Sequence, residues 1–250
     1  MSARVDLLVL LVAGHFLADF AFQTRRMVDG KRRIGWLALH GLGVALVQAA
    51  VALPYLSPTA APLILGLAVV HMAIDRVKAT AARPFGLKAF FADQAGHLVV
   101  LVAVWIAWAR LPGWPGPLYA GLEVALETWT VVAVIAAAYA FNWTGGAAIV
   151  GAVLDRHRLD EVTADITDEE RSRGRTIGIL ERLILLTLVI IGQWGALGFV
   201  IAAKSIARFK DLDKRDFSER YLIGTLTSVA VAIASGLAVR GFLRMVGRLA

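Results

Sequence analysis

The sequence predicts an all-α, polytopic integral membrane protein with about seven or eight transmembrane helices. Apolar residues make up 58% of the chain, and the mean hydropathy is +0.69. They are collected in runs of about 17 to 25 residues, the length that a helix needs to cross a bilayer. Basic residues are concentrated between these runs, as expected for loops on the cytoplasmic side of a membrane.

Each apolar run is interpreted as a membrane segment, and one of them is too long for a single crossing. The segments are 5–22, 34–54, 61–80, 90–110, 118–154, 177–191, 194–209 and 221–242. The first carries His15 and Asp19 and lacks a small-residue cleavage site, so we interpret it as a retained helix rather than a signal peptide. A helix over 118–154 would extend roughly 55 Å, against about 30 Å of hydrocarbon. We therefore expect residues 142–146 to break it.

The charge pattern predicts the topology. Lysine and arginine total 26 against 19 acidic residues, and 20 of the 26 lie within 25–33, 76–88, 156–175 and 204–220. All four regions are cytoplasmic if the amino terminus is outside, although Arg240, Arg244 and Arg248 would then follow the last crossing on the outer side. The net charge of +7 is thus explained by topology rather than by nucleic acid.

Composition changes along the chain divide it into four parts. We predict a four-helix membrane domain at 1–110, a variable membrane segment at 111–154, a polar cytoplasmic connector at 155–175, and carboxyl-terminal membrane helices at 176–250 as a hairpin and a final helix. The absence of cysteine excludes disulfides and thiolate metal sites. The partner that these features indicate is membrane lipid, and association into a homo-oligomer stays open.

Histidine and aspartate recur four residues apart in three apolar segments. The pairs are His15/Asp19, His71/Asp75 and Asp93/His97. Such spacing places both side chains on one face of a helix, about 6 Å apart along its axis. Counted from the cytoplasmic boundary, the aspartates lie roughly 8 to 12 Å deep and the histidines one turn deeper, and His40 enters the same layer. Ionisable groups at membrane depth usually serve ligands, protons or metal ions.

Imidazole and carboxylate groups together suit a divalent metal ion, which would be zinc, manganese or iron. The predicted ligands are His15, Asp19, His40, His71, Asp75, Asp93 and His97. Asp19, Asp93 and Gln23 are the candidate catalytic residues, with one aspartate as a base and Gln23 as a hydrogen-bonding group. The alternatives are proton-coupled transport and polar packing that only stabilises the helices.

A second set of residues predicts an anion site in the carboxyl half. Arg175 and Arg182 lie in what reads as the first turns of a helix, where free amides attract anions, and the returning helix brings further polar groups. A lipid phosphate at the inner leaflet would satisfy these groups. The candidates are Arg175, Arg182, Lys204, Ser205, Arg208 and, in the amino-terminal half, Lys78. The alternative is a Glu181/Lys204 ion pair with ordinary positive-inside residues.

The histidine and aspartate motifs carry a family resemblance. HFLADFAFQTRRM, HMAIDRVK and FFADQAGH, in this order, resemble the bacterial membrane-protein family catalogued as domain of unknown function 3307. GRTIGILERLI, AAKSIARFKDL and YLIGTLTS are similar to its longer, two-part members. The resemblance implies that the first four helices form a unit and that the protein lies in the bacterial inner membrane. It implies no activity.

Three functions are compatible with the sequence. The first is a metal-dependent intramembrane hydrolase that acts on an anionic substrate, with a phosphorylated lipid or a small anion as the substrate class. The second is a proton- or cation-coupled transporter. The third is a non-catalytic accessory protein whose connector at 155–175 docks a cytoplasmic partner. Nucleic acid is not among the expected partners.

Overall fold

The computed structural model describes residues 3–81, 86–156, 168–209 and 215–249, and in these ranges it contains helices and no strands. The α-helices are α1 (Ala3–Phe20), α2 (Arg25–Gly30), α3 (Ile34–Val51), α4 (Ala61–Thr80), α5 (Leu87–Trp108), α6 (Tyr119–Ala140), α7 (Gly146–Arg156), α8 (Asp168–Ile191), α9 (Trp194–Ala207) and α10 (Arg215–Met245). A 3₁₀ turn spans Leu53–Tyr55 and a π turn spans Phe141–Gly145. The all-α prediction is confirmed.

Four helical stretches are long and apolar enough to cross a membrane. They are Ile34–Val51, Leu87–Trp108, Ala125–Asp155 and Phe217–Met245. Ala125–Asp155 passes through the π turn, so the break predicted at 142–146 is wrong. A π turn widens the helix by one residue and keeps the chain helical, so the segment can continue through the membrane.

The chain divides into two compact units, Met1–Ala137 and Ala138–Ala250, and the first contains the histidine and aspartate pairs. In this unit α1 packs against α3 and α5, and α4 packs against the same two helices. Buried apolar side chains fill one end of this group of helices, namely Leu7, Leu10, Leu11, Ile64, Leu67, Leu101 and Trp108. The polar pairs lie in the last turns of α1 and α4 and the first turns of α5, and therefore at the other end.

Local sequence explains where these helices begin and end. Thr24 caps α2, because its hydroxyl accepts a hydrogen bond from the Met27 amide at 3.3 Å. Pro54 follows the end of α3 and Pro62 occupies the first turn of α4, the positions that proline tolerates. The short α2 and residues 31–33 thus bring basic side chains to the end that carries the polar pairs.

In the second unit α10 packs against α7 and α8, and α9 packs against α8. Helix α8 begins at Asp168, nine positions before the predicted membrane segment, because Glu169, Glu170 and neighbouring polar residues are good helix formers without being apolar. Residues 174–178 therefore lie inside α8, where backbone amides are hydrogen-bonded within the helix. The free helix amino terminus predicted there is wrong. Most of the predicted connector, 157–167, lies outside the described residues.

Candidate metal centre

Seven buried side chains from four helices meet at one end of the first unit. None is more than 9% exposed. Helix α1 supplies His15 and Asp19, α3 supplies His40, α4 supplies His71 and Asp75, and α5 supplies Asp93 and His97. The imidazole rings of His15, His71 and His97 lie against one another, with centroids 4.1 Å apart for His71 and His97 and 4.9 Å apart for His15 and His97.

Four donor atoms within this cluster lie close to one another. We call them the central donor set: His40 Nε2, His71 Nε2, Asp19 Oδ1 and Asp75 Oδ2. The two nitrogens lie 3.1 Å apart. Asp19 Oδ1 lies 3.2 Å from each nitrogen, and Asp75 Oδ2 lies 3.2 Å from His40 and 3.5 Å from His71. Ligands about 2.0 Å from a tetrahedral ion are separated by about 3.3 Å. The five separations therefore have the size expected between ligands of one zinc ion.

The carboxylate oxygens of this set are buried and poorly satisfied. Asp19 Oδ1 and Asp75 Oδ2 lie in side chains that are 7% and 1% exposed, and the imidazole nitrogens 3.2 to 3.5 Å away make no well-aligned hydrogen bond to them. Burying an unsatisfied carboxylate oxygen is costly, and such atoms are rare in folded proteins. A cation at the centre of the set would satisfy both oxygens at once.

A further group of donors lies beside the central set, and we call Asp75, Asp93 and His97 the lateral donor set. One ligand atom from each lies within 4.8 Å of the others. His97 Nδ1 donates to the Asp93 carbonyl oxygen at 2.8 Å, which leaves Nε2 as the ring nitrogen with a lone pair. His97 Nε2 and Asp93 Oδ1 are buried and have no hydrogen-bond partner. His15 also contacts the cluster, and its Nε2 lies 3.3 Å from Gln94 Oε1.

Two lysines hold the outer oxygens of two of these aspartates. Lys31 Nζ lies 2.6 Å from Asp75 Oδ1, and Lys78 Nζ lies 2.8 Å from Asp93 Oδ2. The Lys31 side chain is only 10% exposed, and the Arg76 guanidinium donates to the carbonyl oxygens of Lys31 and Arg32. Sequence analysis missed Lys31, because its basic neighbours made it look like an ordinary loop cation. No signal in the sequence distinguishes Lys31 from the other basic residues at 25–33.

The remaining predicted site residues have other surroundings. Gln23 is half-buried, and its Nε2 has no hydrogen-bond partner in the part of the chain that the structure describes. In the second unit, Lys204 pairs with Glu181, and the Ser205 hydroxyl donates to the Ile201 carbonyl oxygen at 3.1 Å. Arg175 and Arg208 are exposed.

Arg182 is buried within the second unit. Its Nε donates to the Asn142 carbonyl oxygen at 2.9 Å, and its Nη1 donates to Ser228 Oγ at 3.2 Å. Asn142 belongs to the π turn, and a π turn displaces carbonyl groups from their usual helical partners. A Cβ on Gly146 would lie 2.8 Å from Arg182 Nε, so glycine is needed for this approach. These contacts give Arg182 a structural role in joining α8 to the π turn and α10.

The seven clustered residues all lie within one stretch of sequence that matches a protein family. Residues 7–114 match the family model described as "Protein of unknown function (DUF3307)". We refer to residues 7–114 as the DUF3307 domain, after the family whose model they match. The resemblance carried by the histidine and aspartate motifs is thereby confirmed, and the DUF3307 match includes α1 from Leu7 onward and all of α2 to α5. No curated protein and no solved structure matches the chain.

Proposed function

We propose that the DUF3307 domain binds a divalent metal ion at the central donor set. The observation that supports this most is the 3.1 to 3.5 Å spacing between two imidazole nitrogens and two carboxylate oxygens, in side chains of which none is more than about a tenth exposed. Two nitrogen and two oxygen donors at these separations suit zinc best, whereas manganese and magnesium prefer six ligands.

We further propose that this ion serves a metal-dependent hydrolase. Catalytic zinc sites keep three protein ligands and one position for water, and a bound ion lowers the pKa of that water to about 7. His40, His71 and Asp75 would supply the three ligands. The Asp19 carboxylate, whose Oδ1 lies 3.2 Å from both imidazole nitrogens, would accept the proton of the water as a general base. The water oxygen would bond to phosphorus as the ester P–O bond breaks, and Asp19 would pass its proton to the leaving alcohol.

The charges around the site favour an anionic substrate. The three aspartates and two lysines leave one net negative charge when the imidazoles are neutral, and one divalent ion makes it one net positive charge. A positive site inside a membrane protein attracts an anion. Exposed apolar side chains at the same end, Val77 at 71% and Phe91 at 55%, are suited to contact acyl chains. Phosphorylated lipid is therefore the substrate class that we propose.

The proposed setting is the bacterial inner membrane. In this arrangement the chain crosses the bilayer about seven or eight times, its first four long helices form a bundle, and its amino terminus is outside. The end of the DUF3307 domain that carries α2, Lys31 and Lys78 then faces the cytoplasm. In the second unit we propose that Lys204 and Arg208 bind a lipid phosphate, for which Lys204 would leave Glu181.

Cation- or proton-coupled transport has less support. A transporter needs a polar path from the site to the opposite membrane face. Beyond the polar cluster the first unit contains buried leucines, among them Leu7, Leu10 and Leu11, which are 0% exposed, and only isolated buried polar residues such as Gln48 and Asp6 among the described residues. We propose on this ground that the polar site does not continue to the opposite face, as an enzyme site requires. An accessory role would depend on the connector, much of which lies outside the described residues.

Metal analysis of the purified full-length protein tests the first proposal. We expect zinc or another divalent ion to copurify, at one ion per chain or more. Replacing His71 or His40 by alanine should remove the ion of the central set. The matched control is His157→Ala, because His157 is the histidine outside the DUF3307 match. Metal content unaffected by His71→Ala would contradict the proposal.

Hydrolysis is tested separately, with a phosphorylated lipid in mixed detergent micelles and inorganic phosphate as the product measured. The variant Asp19→Asn should keep the metal ion and lower kcat by about 10²- to 10⁴-fold, the usual contribution of a general base. If this variant loses the ion, Asp19 is a ligand rather than a base. If the metal-loaded wild type releases no phosphate from such lipids, the hydrolase proposal fails while the metal site stands.

A further inference from the structure

We propose that the DUF3307 domain holds a second divalent metal ion at the lateral donor set, formed by Asp75, Asp93 and His97. This inference rests on the proposed function, because the second ion lies beside the first and shares Asp75 with it. The lateral set offers three protein donors, so an ion there has room for a ligand from solution.

The orientation of His97 is the first argument. A metal-binding histidine usually donates its other ring N–H to a carbonyl or carboxylate oxygen, which fixes the tautomer and aims the lone pair. His97 has this arrangement: Nδ1 donates to the Asp93 carbonyl oxygen at 2.8 Å, and Nε2 is buried without a hydrogen-bond partner. The ring is 2% exposed, so water does not reach it freely. The lone pair of this ring is therefore on Nε2, the atom left to bind a metal ion.

Asp93 supplies the second argument. Its Oδ2 receives hydrogen bonds from Lys78 Nζ at 2.8 Å and from Gln94 Nε2 at 3.1 Å. Its Oδ1 is buried and receives none. A carboxylate with one oxygen held by two donors and the other left bare is oriented as metal ligands usually are. One ligand atom of Asp93 lies within 4.8 Å of ligand atoms of Asp75 and His97.

The lateral set lies next to the central set. Asp75 belongs to both, and His71 of the central set has its ring centroid 4.1 Å from that of His97. Hydrolytic two-metal sites place their ions about 3.5 to 4 Å apart and let both contact the phosphoryl group. The central ion would hold the attacking water, and the lateral ion would have an open position for a phosphate oxygen.

Charge sets the order in which the ions bind. With neutral imidazoles, the first ion changes the net charge of the three aspartates and two lysines from one negative to one positive. The second would make it three positive in a buried site, which is costly unless an anion enters too. We therefore expect the lateral ion to bind second and more weakly, and phosphate to strengthen its binding.

The test is a metal titration of the full-length, detergent-purified protein after chelator treatment, with bound zinc measured by equilibrium dialysis and elemental analysis. The wild type should bind two ions in two steps, and 1 mM orthophosphate should raise the affinity for the second ion at least tenfold. His97→Ala and Asp93→Asn should bind one ion, at the wild-type first affinity, and retention of that ion shows that the variants fold. Lys88→Met, at an exposed position on α5, is the control and should bind two.

Manganese provides an independent readout, because two manganese ions within a few ångströms give an exchange-coupled paramagnetic resonance spectrum. We expect this spectrum in the wild type and its replacement by a single-ion spectrum in His97→Ala. One ion per chain in both the wild type and His97→Ala would overturn the lateral site and leave the proposed function intact. No ion in any variant would overturn both.

Discussion

His40 Nε2 and His71 Nε2 lie 3.1 Å apart, although 31 positions separate the two residues in the chain. The residues that follow them explain the contact, because a Cβ on Gly41 would lie 2.3 Å from Met72 Sδ. Gly41 thus lets α3 and α4 approach closely at the level of the two imidazoles. The spacing of the central donor set depends on this helix contact as much as on the ligands themselves.

We predict that Gly41→Leu weakens metal binding without removing any ligand. The larger side chain must push Met72 and α4 away, and such overpacking costs typically about 1 to 3 kcal/mol. The metal affinity should fall at least tenfold, and the protein should unfold at a lower temperature in detergent. Gly43→Leu on the same helix is the matched control, because a Cβ there meets nothing within 4 Å. Equal metal affinity in the two variants would refute this explanation of the spacing.

We predict that Lys31→Met and Lys78→Met each raise the affinity for the first metal ion. Each ammonium group contacts a carboxylate of the donor sets and repels a divalent cation nearby. Removing one such charge should favour the ion by about 1 kcal/mol or more, or roughly fivefold. The same variants should bind orthophosphate less tightly, because each loses an ammonium group that attracts the phosphate anion to the donor sets. Lys88→Met is the control. Loss of metal from Lys31→Met or Lys78→Met would instead mean that these lysines mainly position the carboxylates.

The proposed topology predicts which loops an impermeant thiol reagent reaches in intact cells. Single cysteines can be introduced without interference because the chain has none. Cysteines placed in 25–33, 83–88, 155–175 or 210–220 should stay unlabelled until the membrane is permeabilised. Thr59→Cys, on an exposed turn before α4, should be labelled at once. The reverse pattern would invert the topology and place the metal site at the outer face.

In the second unit we predict that Gly146→Ala is destabilising. Its Cβ would lie 2.8 Å from Arg182 Nε and would disturb the hydrogen bond to the Asn142 carbonyl oxygen. Loss of a hydrogen bond to a charged group costs about 1.5 to 3 kcal/mol. The free energy of unfolding should fall by an amount in this range. Gly151→Ala in the same helix meets nothing within 4 Å and should be neutral or slightly stabilising.

The proposed phosphate site of the second unit gives a last prediction. Lys204→Ala and Arg208→Ala should each reduce binding of an anionic phospholipid by roughly the 1.5 to 3 kcal/mol of a charged hydrogen bond, while metal content stays unchanged. Lipid retained through purification is the quantity to measure. Undiminished lipid binding in Lys204→Ala would leave the Lys204 and Glu181 contact as a structural ion pair.

Helix periodicity predicted which residues share a face, but it did not predict which atoms meet. The i, i+4 spacing of His71 and Asp75 is visible in the sequence, and the structure places both in the cluster. His40 has no such partner, yet its Nε2 touches His71 and two carboxylates, because helix packing decides contacts between residues distant in sequence. Lys31 was missed for the same reason. Nothing in its neighbours indicates that it reaches across to α4.

The errors in the predicted helices have local causes. A break was expected at 142–146 because Asn142 and two glycines weaken a helix, but a π turn accommodates them. The start of α8 was placed too late because apolar content was taken as the mark of a helix. Polar helix formers at 168–176 extend it beyond the apolar part. Because α8 begins at Asp168, residues 174–178 lie inside the helix, and the predicted anion site has no helix amino terminus.

The buried leucines beyond the polar cluster have an electrical consequence. In the proposed topology, side chains such as Leu7, Leu10 and Leu101 form a layer of low dielectric constant, and most of the voltage across the bilayer would fall over it. Ions that enter the donor sets from the basic end would therefore cross little of that voltage. Occupancy of the site should follow the ion concentration on one side and respond little to the energised state of the cell.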